Sequence, residues 1–139
     1  MRKVLLCFII SAVALTVSAQ SDNVSNEVTQ AVAEMSNLYT LDAKQVEQMT
    51  VIQQRYFRNM ADIAPLQNTD KTKYLQKLSA NRKGTDASIN RILTPTQRVI
   101  FSEQQAQRRI TEAQIIKELK AQGLSNEEIK LQVIERTNG

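Results

Sequence analysis

Residues Ile92–Phe101, ILTPTQRVIF, read as the start of a helix. Thr94 can act as an N-cap whose hydroxyl accepts an orphan backbone N–H. Pro95 suits the first helical position, Gln97 at the third can reach back to the cap, and Leu93 can pack as a staple just outside. The same grammar occurs at Leu41, where LDAKQV offers Asp42 as cap, Gln45 at the third position and a Leu41 to Val46 staple. It recurs at Leu124, where LSNEEI offers Ser125, Glu128 and a Leu124 to Ile129 staple. Three such starts require at least three helices.

Apolar spacing around these starts predicts the remaining helices. Val24, Val28, Val32, Met35 and Leu38 step by threes and fours, so residues 22–37 read as an amphipathic helix or a mobile N-terminal arm. From Ala43 to about Ala64 the apolar face is Val46, Met49, Ile52, Tyr56, Met60 and Ile63, and Pro65 ends it, with a turn from Pro65 to Asp70. A helix over about 71–93 shows Tyr74, Leu75, Leu78, Ile89 and Ile92, interrupted by Arg82 and Thr85, with Gly84 as a soft point. The helix opened by Pro95 extends to about Gln122 and stops at Gly123. It carries two apolar faces: Val99, Ala106 and Ile110 on one side, Phe101, Ile115 and Leu119 on the other. Two faces need two partners, the domain's own core plus the final helix or a second copy. The last helix, about 126–136, is short and can fold back through Gly123.

Composition agrees with an all-α chain. Only 3 glycines and 2 prolines occur in 139 residues, with few aromatics and many Gln, Ala, Lys and Glu. The first nineteen residues read as a secretory signal: Arg2 and Lys3, an apolar run from Val4 to Val17, then Ser18-Ala19 as a cleavage site. That run is too short for a good membrane span, so stable membrane insertion is not expected. Cys7 lies too early to be a lipid attachment site. The expected divisions are 1–19 signal, 20–40 N-terminal helical arm, 41–122 helical core and 123–139 C-terminal helix, with export to the periplasm after Ala19.

The chain has no histidine and its one cysteine lies in the signal, which excludes Cys/His nucleophiles, a Ser-His-Asp triad and ordinary zinc or copper sites. No phosphate loop or calcium loop is present. Glu127 and Glu128 are explained as first-turn charges. No enzyme activity and no cofactor are expected.

What remains is surface. From Leu41 to Arg109 the sequence holds 12 bases and 6 acids, while both flanks are slightly acidic. Lys73, Lys77, Ala80, Gly84, Ala87 and Arg91 share one helix side, a basic strip with small residues between, and Val51, Arg55, Arg58 and Asp62 share the outward side of the preceding helix. Each set reads either as a solvated face or as a place where another chain docks. Nucleic acid is not the expected partner, because no aromatics interleave with the bases.

Leu93-Thr94-x-x-Gln97, preceded by Leu41-Asp42-x-x-Gln45 about fifty residues earlier, resembles the doubled leucine-threonine-x-x-glutamine (LTxxQ) motif of the Spy and CpxP-like periplasmic family. Asp42 stands where the family has threonine and caps equally well. The resemblance covers roughly residues 41–109. It implies a long, bent hairpin of about four to five helices, dimerising into a thin cradle that holds unfolded proteins without ATP. A regulatory adaptor of an envelope stress-sensing system, or a structural envelope protein without chaperone activity, are the alternatives. The motif residues are read as structural caps, and Val51, Arg55, Arg58, Lys73, Lys77 and Arg91 as the client or partner surface.

Overall fold

A computed structural model describes residues 15–138, with side chains from 25 to 137. The expected signal lies mostly outside the described residues. Six helices follow in order among the described residues: α1 (Leu15–Tyr39), α2 (Ala43–Ile63), α3 (Leu66–Thr69), α4 (Lys71–Ile92), α5 (Pro95–Ala121) and α6 (Asn126–Asn138). No strand occurs among the described residues.

Each of the three expected starts closes a reciprocal cap. Asp42 Oδ1 accepts from the Gln45 N–H at 2.8 Å, and Gln45 Oε1 accepts from the Asp42 N–H at 3.1 Å. Thr94 Oγ1 accepts from the Gln97 N–H at 3.4 Å, and Gln97 Oε1 accepts from the Thr94 N–H at 2.9 Å. Ser125 donates its hydroxyl and its N–H to Glu128 Oε2, at 2.6 and 2.9 Å. Each pair satisfies backbone donors that a helix start leaves without partners. Asp70 supplies one more cap, accepting from the Lys73 N–H at 3.0 Å.

Two helices end in left-handed residues. Thr40 at φ 52° closes α1, with the Leu41 N–H returning to the Ser36 carbonyl at 3.1 Å. Gly123 at φ 78° closes α5, with the Gly123 N–H to Lys120 O at 3.0 Å and the Leu124 N–H to Leu119 O at 3.4 Å. Both use the wrapped ending in which a left-handed residue lets the chain turn back on the last helical carbonyls.

Three expectations change. The helix predicted from Asp22 already includes Leu15, the first described residue, and Val28 and Val32 are buried in the core, so this segment packs as an element of the domain. Pro65–Asp70 is not a plain turn: residues 66–69 form the single turn α3, since proline is compatible with a first turn. The soft point at Gly84 leaves α4 unbroken, because one glycine costs a helix only about 1 kcal/mol, which the packed ends of α4 outweigh.

The core is divided. One cluster joins Val28, Val32 and Tyr39 of α1 to Met49 and Ile52 of α2, Ile89 of α4, Leu93, and Phe101 of α5. The other joins Ile63, Leu75, Leu78 and Ile134, with Met60, Leu66, Tyr74 and Leu131 packed against it. They sit at opposite ends of the antiparallel α2–α4 pair. The middle is polar: Asn59 Nδ2 donates to Asn81 Oδ1 at 2.9 Å, Asn81 Nδ2 to the Tyr56 carbonyl at 3.1 Å, and Arg55 Nη2 to Ser88 Oγ at 2.7 Å. Two ion pairs, Asp86–Arg108 at 2.8 Å and Arg82–Glu112 at 3.2 Å, tie α4 to α5. Arg82 breaks the apolar stripe of α4 because it bridges to α5 and, through Thr137 at 3.2 Å, to α6.

Candidate functional site

The two motif glutamines meet. Gln45 Nε2 donates to Gln97 Oε1 at 2.7 Å, and Gln97 Nε2 donates to Gln45 Oε1 at 3.1 Å. Each amide also donates to backbone just before the other's cap: Gln45 to Ile92 O at 2.9 Å, Gln97 to Tyr39 O at 3.0 Å and Thr40 O at 3.3 Å. The junction has an approximate two-fold symmetry, with both side-chain amides using donor and acceptor groups. Gln45 is buried, and no buried side-chain polar atom lacks a partner among the described residues. Capping and stapling account for only half of what these glutamines do; the rest is a bond between the starts of α2 and α5. Leu93 likewise goes beyond a local staple, being buried in the first cluster. Leu41 and Val46 pack against the same cluster.

The basic positions fall on a different part of the molecule. Arg55, Arg58, Lys73, Lys77 and Arg91 are all exposed, and Val51 is 63% exposed. None of the five cations is in an ion pair among the described residues. The Arg55–Ser88 bond and the Asn59–Asn81 bond set an antiparallel register that brings the outward side of α2 against the small-residue side of α4. Asp62 and Lys77 accordingly share an open cavity of about 370 Å³ with Asn59, Ala80 and Asn81. A side chain added at Gly84 would meet nothing within 4 Å, so the strip between the cations is a shallow, open floor.

Sequence periodicity assigned these residues to two separate faces; the α2–α4 register brings the two faces together where Arg55 meets Ser88 and where Asp62 and Lys77 share a cavity. The polar rung Asn59–Asn81 was the missed element. Its signal was there in outline, since Arg55, Asn59 and Asp62 step along α2 by the same fours and threes as Lys77, Asn81, Thr85 and Ser88 along α4.

The second apolar face of α5 remains open. Val99 is 57% and Ile110 52% exposed, and a shallow hollow along this face is lined by Pro95, Arg98, Val99, Ser102, Glu103 and Ala106. The opposite face is covered: Phe101 is buried in the first cluster, and Leu119 is fully buried where α5 meets α6.

Burial raises the Tyr39 phenol above its ordinary pKa; nearby Asp86 adds to the rise and Arg108 opposes it. The Tyr39 hydroxyl donates to Gln104 Oε1, tying the end of α1 to α5. Burial raises Tyr56 as well, with Tyr74 and Asp86 adding to it and Arg82 opposing.

Among the described residues, no group of three His, Cys, Asp or Glu side chains is placed to hold a metal ion, and no helix is long and apolar enough to cross a membrane. No protein-family model, curated protein or solved structure matches the chain.

Proposed function

We propose that the protein is an ATP-independent, chaperone-like protein of the periplasm, of the Spy and CpxP-like kind, which binds unfolded or acidic envelope proteins on its basic helical surface. The observation that carries this reading is the α2–α4 seam at Arg55 and Lys77, two of five exposed cations on these helices without ion-pair partners, with Ala80 beside Lys77. An excess of cations over the single carboxylate of Asp62 along a shallow groove attracts acidic chains quickly and holds them weakly, in a manner that salt screens. Val51 adds apolar contact at the edge.

The working form is a homodimer joined through the outer face of α5. Glu103 and Arg109 lie three residues either side of Ala106, and neither has an ion-pair partner among the described residues. Antiparallel packing about Ala106 therefore sets Glu103 of one copy against Arg109 of the other while covering Val99 and Ile110. A paired surface of this kind satisfies the self-complementarity that a two-fold interface requires.

The test mixes purified protein with an aggregating acidic client and follows light scattering at low and high salt. Suppression at low salt that weakens with salt, and that falls several-fold in Arg55→Glu/Lys77→Glu, is the expected result. No suppression at several-fold excess and low salt overturns the reading, and a single stoichiometric partner in envelope extract replaces it with a regulatory adaptor.

A further inference from the structure

The groove over the second core cluster is already filled, by a helix of the chain's own. Ile63, Leu75 and Leu78, flanked by Met60, Leu66 and Tyr74, form a continuous apolar patch contributed by α2, α3 and α4, and α6 lays Ile134 and Leu131 on it. The rest of α6 is held by buried Ile129 near its start, at the corner with α5, and from its edges by Lys71–Glu135 at 2.6 Å, Arg136–Glu118 at 3.1 Å, and Arg82 to Thr137 at 3.2 Å. The two ion pairs are substantially exposed, 61% and 48% for Lys71 and Glu135, 38% and 57% for Arg136 and Glu118. Exposed pairs of this kind are weak and screened by salt.

The connection to α5 is short and hinged on Gly123 at φ 78°, with open space around it. Nor does α6 fill the groove. Beside it lies an open cavity of about 390 Å³ with Tyr74, Leu75 and Leu78 on its apolar side and Lys71 and Glu135 on its polar side, so the same leucines that α6 covers also border open space.

We infer that this groove is a docking site for an amphipathic, acid-bearing helical segment of another protein, and that α6 is the resident occupant such a segment displaces. The inference rests on the chaperone reading for its biological partner, but the groove and its occupant are defined without it. The chemistry of the displaced helix describes the incoming one: branched apolar residues three apart, like Leu131 and Ile134, to sit on Leu75 and Leu78, followed by a carboxylate, like Glu135, to pair with Lys71. A helix laid apolar face down into a groove is a common mode of peptide recognition. α6 also carries Glu127, Glu128 and Glu135 against Lys130 and Arg136, the charge sign to which a basic hairpin is complementary.

The test opens and locks α6 in the full chain on a Cys7→Ser background. Ile134→Asp removes the apolar anchor, and Glu135→Lys, which leaves the core intact, removes the ion pair instead; circular dichroism checks that both stay helical. In the locked form, Lys71→Cys and Glu135→Cys are joined by a bis-maleimide.

The probe is a fluorescent synthetic peptide of residues 125–138, followed by anisotropy. Ile134→Asp is expected to bind it at least tenfold more tightly than the unmodified protein, Glu135→Lys a few-fold more tightly, as suits a weak exposed pair, and the locked protein not at all. Absence of binding to both opened, helical variants, or equal binding to the locked one, overturns the inference. Peptide binding without any suppression of client aggregation retains the groove and sinks the chaperone reading. Aggregation suppression that is unchanged by locking sinks the groove as the client's site.

Discussion

Gln45 and Gln97, at the third positions of helices whose starts lie 52 residues apart, exchange two side-chain hydrogen bonds of 2.7 and 3.1 Å. Each also closes its own helix cap, so one amide serves local and tertiary structure at once. Replacing either by Leu should destabilise the protein by about 2–4 kcal/mol, since a lost hydrogen bond and a stranded buried partner both count. The double replacement should cost about 1–2 kcal/mol less than the sum of the singles. Urea unfolding of the four proteins measures this, and strict additivity would show that the bridge carries no energy.

Thr40 and Gly123 occupy equivalent left-handed positions with opposite residue choices. Thr40→Gly should stabilise by about 0.5–1 kcal/mol, because a β-branched residue is strained there. Gly123→Ala should destabilise by about 1 kcal/mol for the same reason, although nothing crowds the added carbon. Thermal melts of the two variants are expected to move in opposite directions.

Met49 and Leu119 are the side chains most completely removed from solvent, both at 0% exposure. Met49→Ala and Leu119→Ala should each cost about 2–5 kcal/mol, as apolar contact is lost and a cavity is left. Met49→Ala reports on the first cluster, and Leu119→Ala on the corner of α5 and α6. Hydrogen exchange should therefore rise in α1 and α2 for the former and mainly in α6 for the latter.

Tyr39 should make stability fall in alkali. Its phenol is raised chiefly by burial, then by Asp86, against the opposing Arg108. An acid with a raised folded pKa favours the fold below its unfolded value, here 10.0, and that contribution disappears as pH rises through the folded pKa. Tyr39→Phe should flatten this limb of the stability profile while losing the bond to Gln104. A curve unchanged above pH 10 would contradict the assignment.

Glu128 behaves in the opposite sense. The side-chain bond from Ser125 first, and its backbone N–H second, lower this exposed carboxyl below the ordinary 4.5. Its contribution to the start of α6 is present above the unfolded pKa and is lost as pH falls through the folded one. Carbon NMR titration of the Glu128 carboxyl should show a lowered midpoint that returns upward in Ser125→Ala.

Much of the helical framework is legible without coordinates, because a helix start is a local event. Asp42 and Gln45, or Thr94 and Gln97, need only three residues of chain to satisfy each other's backbone groups. The boundaries of α2, α4 and α5 accordingly lie within a residue or so of where caps and apolar spacing place them. The N-terminal extent of α1 was less legible, since the apolar spacing begins only at Val24 whereas the helix already includes Leu15. The short α3 was hidden because a single turn has no periodicity to read.

The candidate seam was half legible. Spacing identified the outward sides of α2 and α4, but which side of one faced the other depended on the Arg55–Ser88 and Asn59–Asn81 contacts. Composition and local pattern thus established an all-helical chain, its caps and its unequal distribution of charge, all of which depend on residues a few positions apart. The pairing of Gln45 with Gln97, the division of the core, the open face of α5 and the seating of α6 on α4 arose only in three dimensions. Those features join positions far apart in the chain, and their partners are selected by the geometry of packed helices rather than by any neighbour along the backbone.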